Sequence, residues 1–267
     1  MTVPILLCAD DFGLSPGVSQ AIAELLDQGR LSATSCMCLA EHWLPTAGLL
    51  KALEGKAAIG LHLTLTSLPP HPSLGELMKR AMTRSLQESA IENELHRQID
   101  AFEEGLGRLP DFLDGHQHVH VLPVIRDAVL KVMDSRLKGA WLRDVWEPLP
   151  GLLASAAHPA KALALNGLGL ALHLRARAMG IPTNRGFRGA YDLLGAPPPP
   201  ESLFPRFLKN ARPGLLIMCH PAHVDAALVN GPDPVHAPRE AERAYLASAL
   251  FPRHLAEAGV ELAPGLR

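Results

Sequence analysis

Pro4-Ile5-Leu6-Leu7-Cys8-Ala9-Asp10-Asp11-Phe12-Gly13 is a short continuous apolar run that stops at two adjacent carboxylates. An apolar run of this length without alternation is the pattern of a strand covered on both faces, as in a parallel sheet flanked by helices. In such folds, polar residues at the carboxyl end of a strand mark the usual active-site rim. Ser15-Pro16 follows as an N-cap with proline at the first helical position. The spacing predicts a helix through about Leu26, stopped by Gly29.

The same punctuation recurs along the chain. Ala33 to Leu39 and Ala57 to Thr66 are further strand candidates, the second carrying His62 between Leu61 and Leu63. His42 to about Leu53 and Leu74 to Leu106 have helical period, separated from one another by that strand and a Pro-rich loop over Leu68 to Pro72. A helix is expected from Pro123 to about Met133, and Gly139-Ala140-Trp141-Leu142 leads into Arg143-Asp144. Asn184 to Asp192 reads as an ordered loop with Arg185 and Arg188, and Ala196 to Pro200 as a Pro-rich connection. Gly214 to Cys219 is another buried strand, ending in His220-Pro221. Ala237 to Ala258 is helical with a break or kink at Pro252, and Val260 to Leu262 is a last short strand. Strands alternating with helices predict a single α/β domain over residues 1–267. Its sheet should be mainly parallel, with right-handed crossovers, about six to eight strands and a barrel-like rather than open form.

The bulk properties exclude some classes of partner. The chain has 267 residues and a formal net charge of −2, and no Lys/Arg run suggests a nucleic-acid partner. Cys8, Cys36, Cys38 and Cys219 lie in or beside apolar runs without CxxC spacing, so they read as buried free thiols. With no basic-then-apolar leader and no spanning apolar run, the expectation is a cytoplasmic protein. Ala156 to Met179, where Leu and Ala are interspersed with Lys161, His173, Arg175 and Arg177, reads as an amphipathic helix packed on its own sheet. A peripheral contact with the inner membrane is its second reading, and a homodimer is compatible with the sequence.

Phe112-Leu113-Asp114-Gly115-His116-Gln117-His118-Val119-His120 is the richest stretch in potential metal ligands. On an extended strand Asp114, His116, His118 and His120 would share one face. At about 3.3 Å per residue, His116 and His120 would stand roughly 13 Å apart, too far to share one ion. Further ligands must therefore come from other strand ends, and the sequence offers Asp11, His62 and His116. A carboxylate and two imidazoles suit a catalytic divalent ion, zinc above all but also manganese or another metal. Strict alternation sends Asp10 and Asp11 to opposite faces, so both reach one site only if the chain turns at the rim beside Gly13. One of the two carboxylates is then free as a general base, and His220 can serve as general acid.

Ala9-Asp10-Asp11-Phe12-Gly13-Leu14-Ser15, Gly60-Leu61-His62, Asp114 to His120 and Met218-Cys219-His220-Pro221 together resemble the motifs of the YdjC-like carbohydrate deacetylases, the ChbG/HpnK family. They occur in the family's order across about residues 5 to 225. The resemblance implies a distorted (β/α) barrel binding one divalent metal, zinc or magnesium, through Asp11, His62 and His116. It implies Asp10 as base, exchangeable with Asp11, with Asp114 behind the ligands and His118 and His120 shaping the substrate side. Trp141 to Asp144, Gly186 to Asp192 and His220 to Asp225 are most similar to the hopanoid-associated HpnK branch. That branch implies deacetylation of an N-acetylglucosaminyl hopanoid lipid; the alternative substrate is a soluble chitooligosaccharide. Arg143 and Arg188 are expected either at the substrate or in structural ion pairs. Two rival readings are a binuclear amidohydrolase or phosphoesterase, and a glycan- or lipid-binding protein that has lost the chemistry.

Overall fold

β1 (Val3–Phe12) is the central strand, with Ile5 to Ala9 at most 1% exposed. The computed structural model describes residues 2–155, 159–195 and 197–266. The other strands are β2 (Ala33–Cys36), β3 (Ala58–Leu63), β4 (Phe112–Gly115), β5 (Trp141–Leu142), β6 (Phe187–Arg188), β7 (Leu216–Cys219) and β8 (Val260–Leu262). Their order is β5-β4-β3-β2-β1-β7-β6, with β8 on the first residues of β1, and every pairing is parallel. The outer ends of this path meet: Leu142 of β5 bridges Thr183, just ahead of β6, and its N–H donates to the Pro182 carbonyl at 2.9 Å. The sheet is therefore curled, in keeping with the barrel-like form expected from the alternation of elements and with the distorted barrel that the family resemblance implied. A parallel sheet turned this way brings the carboxyl ends of its strands to one face.

Local chemistry accounts for the elements that hold the site. Ser15 caps the helix Pro16–Asp27, its Oγ accepting from the Val18 N–H at 3.2 Å. Gly60 allows β3 and β4 to pack, because a Cβ there would come within 2.4 Å of the Phe112 ring, which itself stacks on Trp141 at 4.1 Å. One hydrophobic cluster runs from Ile5 to Val260, and all four cysteines lie buried as free thiols.

Three expectations are corrected. Phe187–Arg188, read as loop, is strand β6, because Phe187 and Arg188 pair with Leu216 and Ile217 of β7. The break in Ala237 to Ala258 falls at Ser248, between helices Ala237–Ala247 and Leu250–Ala258. Pro252 thus lies in a first helical turn, where its missing N–H costs little. The strand expected over Phe112 to His120 ends at Gly115 and gives way to a 3-10 turn, His116–Val121. Of the segment Ala156 to Met179, the helix Pro159–Ala178 is described, while Ala156 to His158 lie outside the described residues, as does Ala196 of the Pro-rich connection. That helix buries Leu172 and Ala176 and exposes Leu163, Leu170 and Leu174. Among the described residues no helix is long and apolar enough to cross a membrane.

Candidate metal centre

Asp10 and Asp11 both line one cavity, although alternation should separate them. The resolution lies at Asp11 itself rather than at Gly13: Asp11 has a φ of 71°, and the β1–β2 register slips between Ala9 and Phe12. A left-handed aspartate next to a bulge is a strained arrangement that re-aims a side chain. Asp11 Oδ1 is then 2.9 Å from His116 Nδ1 and 3.2 Å from His62 Nε2. The ligand atoms of Asp11, His62 and His116 all lie within 4.8 Å of one another, and all three residues are buried.

Register explains the next contact. His62 of β3 pairs with Asp114 of β4, so the two side chains stand side by side, with His62 Nδ1 2.6 Å from Asp114 Oδ1. Ser35 Oγ of β2 is 3.0 Å from the same nitrogen. A carboxylate on one imidazole nitrogen orients the other towards a metal, as second-layer carboxylates do in many metal sites. Burial alone would lower the pKa of His62, but the Asp114, Asp11 and Asp10 carboxylates push it up to about 10. Burial opposes ionisation of Asp11 as well, yet Arg239 and His116 hold its carboxyl well below the usual range. The donor set is thus an ionised carboxylate and two imidazoles in a strongly anionic setting, which fits a divalent cation.

The turn at His116 redistributes the four residues that an extended strand would have aligned. Gln117 and His118 take φ values of 52° and 60°, and the chain folds back so closely that a Cβ on Gly115 would meet His120 at 3.0 Å. His116 swings over Asp11, with its Nε2 3.0 Å from Ser67 Oγ. His118 faces the cavity with its ring 5.4 Å from Phe187. Burial, then the Arg143 charge, pushes the His118 pKa down to about 3. His120 lies beneath, fully buried, its Nε2 3.1 Å from the Arg143 carbonyl oxygen.

Asp10 does not join the triad. Arg143 grips it with two bonds, Nη1 to Oδ2 and Nη2 to Oδ1, each 2.6 Å. Against the opposing effect of burial, this guanidinium holds the Asp10 carboxyl far below its ordinary range. Arg143 itself is wholly buried behind Asp10, away from the cavity wall. Arg188 is not brought to the centre: it is buried against Glu147 and the carbonyls of Phe207 and Lys209. His220 lines the cavity, and its backbone N–H donates to Glu242 Oε2 at 2.5 Å. Glu242 also accepts from the Tyr191 hydroxyl at 2.7 Å.

Several residues here carry no sequence signal. Arg239, on the helix Ala237–Ala247, donates to Asp11 Oδ2 at 2.5 Å and to Asp233. Ser35, Ser67 and Glu242 likewise belong to unremarkable stretches, while Tyr191 lies in the Gly186 to Asp192 motif without having been singled out. The cavity above the triad holds about 360 Å³, with Leu165, Leu193, Leu194 and Val235 contributing apolar wall.

A curled parallel sheet with a buried Asp-His-His set at its strand ends defines a (β/α)-barrel protein with a candidate single-metal centre. The chain matches the YdjC-like protein family over residues 4–257, and it belongs to that family. It is 35% identical over 131 residues to a chitooligosaccharide deacetylase of Enterobacter sp. (strain 638), a match covering 45% of this chain and 52% of that one. It is 32% identical over 147 residues to a carbohydrate deacetylase of Danio rerio, covering 49% and 46%. The chain therefore matches about half the length of these curated relatives. A candidate cellobiose-phosphate cleavage protein of Enterococcus faecalis V583 shares the fold, with a TM-score of 0.71 and 22% identity over 98% of this chain and 97% of that one.

Proposed function

We propose that this chain, acting as one domain, is a metal-dependent N-deacetylase that releases acetate from an N-acetylglucosamine-containing substrate. The observation that carries this reading is the convergence of Asp11, His62 and His116 within 4.8 Å, in a cavity that also presents Asp10 and His220. Those three residues would hold a divalent ion, zinc or magnesium, which when bound supplies Lewis acidity towards a carbonyl and acidifies water. Asp10, kept ionised by Arg143, accepts the proton of the attacking water, with its orientation fixed by the two-pronged pair. His118 shares the cavity, where burial and the Arg143 charge push its pKa down and disfavour its protonated form. His220, on the same cavity wall, takes the role of acid to the departing amine, and Glu242 fixes its backbone. The Asp-Asp pair is split between the two roles, Asp11 as ligand and Asp10 as base.

The favoured substrate is a lipid-linked N-acetylglucosamine of the hopanoid type, supported by the apolar wall of Leu165, Leu193, Leu194 and Val235 around a polar floor. A cytoplasmic protein in peripheral contact with the inner membrane through the leucines exposed on the helix Pro159–Ala178 follows from that choice, and a homodimer is compatible with it. A soluble chitooligosaccharide is the second reading, favoured by the activity named for the bacterial relatives. Acetate release should be measured on both substrates before and after chelation. Loss with chelator and recovery with zinc or magnesium is expected; undiminished release from fully chelated protein would sink the metal centre. No release from either substrate by metal-loaded protein would sink the deacetylase.

A further inference from the structure

Beneath the triad lies a second group with the composition and spacing of a metal site. Cys8 Sγ, one Asp10 oxygen and one Asp114 oxygen lie within 4.8 Å of one another, and all three residues are buried. A guanidinium nitrogen already sits among them. Arg143 Nη2 is 3.1 Å from Cys8 Sγ, 2.6 Å from Asp10 Oδ1 and 2.6 Å from Asp114 Oδ2. The approach to Asp114 Oδ2 lacks hydrogen-bond direction, so that buried oxygen faces Nη2 as a charge faces a cation.

We infer that Arg143 is the second cation of this centre: its Nη2 fills a Cys8–Asp10–Asp114 position that would otherwise take a thiophilic divalent ion, which limits the protein to one metal. The inference builds on the proposed metal at Asp11, His62 and His116 but is read out separately from it. In binuclear hydrolases two ions lie about 3.5–4 Å apart and hold both the attacking and the leaving oxygens. Here Asp114 reaches towards both positions, Oδ1 to His62 and Oδ2 to Arg143. A guanidinium suits this second place for two reasons. It remains charged at every physiological pH, so a cation stands between Asp10 and Asp114 without a bound metal. Its planar fork also sets the direction of Asp10, which a spherical ion bound through one oxygen would not do. Arg143 is thus a positioning residue that never touches substrate, and it decides the metal count. Cys8 stays a thiol, since burial raises its pKa despite the nearby guanidinium.

If Arg143 is removed, an ion can enter: the Cys8 thiol yields its proton to solvent and an Sγ–metal bond forms, while Asp10 and Asp114 bind as carboxylates. The test compares wild type, Arg143→Ala, Arg143→Lys and the double variant Cys8→Ser/Arg143→Ala, each stripped and reloaded with cobalt(II) or zinc. Bound metal is counted by elemental analysis, and the near-ultraviolet sulfur-to-cobalt band is recorded. Arg143→Ala should bind one equivalent more than wild type and show the sulfur band. The double variant should lose both, and Arg143→Lys, which keeps a cation, should match wild type. Folded Arg143→Ala with no extra equivalent, or a sulfur band in wild type, overturns the inference. Failure of Arg143→Ala to fold even with zinc also overturns it, whereas folding only with zinc supports it. A wild type that binds no metal would sink the proposed function, while the extra equivalent in Arg143→Ala would still decide the role of Arg143.

Discussion

Arg143 and Arg188 are the same residue type, at 0% and 3% exposure, and each is bound to a buried carboxylate. They differ in what that carboxylate touches next. Asp10 lines the cavity and Asp114 holds His62, so Arg143 is one contact from the candidate chemistry. Glu147 instead accepts from the Phe187 N–H at 3.0 Å and binds Arg212 at 2.8 Å, so Arg188 secures short strand β6 to the rest of the barrel. Neither arginine reaches the cavity, and burial alone does not separate them. The second contact outward decides whether a buried ion pair serves a site or a fold.

The comparison can be broken most severely on the cavity side. His116→Ala should abolish both metal binding and acetate release while leaving thermal stability near that of chelated wild type; a metal-loaded, active variant would remove the triad from the mechanism. A smaller effect is expected one contact further out. Asp114→Asn should weaken metal affinity by about 10–100-fold, the usual cost of losing an outer partner of a ligating histidine. Glu147→Gln should leave it unchanged, and equal losses in the two variants would erase the distinction drawn between the arginines.

On the structural side, Arg188→Met should cost about 3 kcal/mol in urea unfolding, at the low end for breaking a buried pair because Arg212 remains on Glu147. The folded fraction should keep wild-type kcat, so a large fall in kcat would place Arg188 in the site after all. The smallest effect concerns pH. Burial, then His118 and Arg143, holds His120 well below its ordinary pKa. Below about pH 6.5 the unfolded chain therefore takes up a proton that the folded chain refuses. Its contribution is fully present above that pH and is lost on acidification, by at most about 1.4 kcal/mol per pH unit. His120→Gln should flatten that part of the stability decline between pH 6.5 and 5 in chelated protein; an unchanged slope would show that His120 protonates freely in the fold.

Much of the frame was legible because burial on both faces leaves its mark in composition. The apolar runs of β1, β3 and β7 stop at Asp10-Asp11, near His62 and at His220, and the parallel sheet brings these positions to one cavity. The Ser15 cap was legible from a side chain acting on its own helix. The His116–Val121 turn was not, since alternation also describes a strand and only the packing of Gly115 against His120 shows that the chain folds back. Arg239 was equally hidden: it reaches Asp11 from a helix 228 positions later, and no local pattern records that approach.

The sequence by itself determined the strand-and-helix alternation, the polar strand ends, and the choice of Asp11, His62 and His116 as a possible ligand set, because these follow from residue type and local period. Tertiary structure decided which nitrogen and oxygen atoms face one another, through the left-handed Asp11, the β3–β4 register and the turn at His116. It also decided that Arg143 stands among Cys8, Asp10 and Asp114 while Arg188 does not. The reason is physical: a buried charge is defined by its partners, and those partners are distant in the chain and adjacent only in the fold.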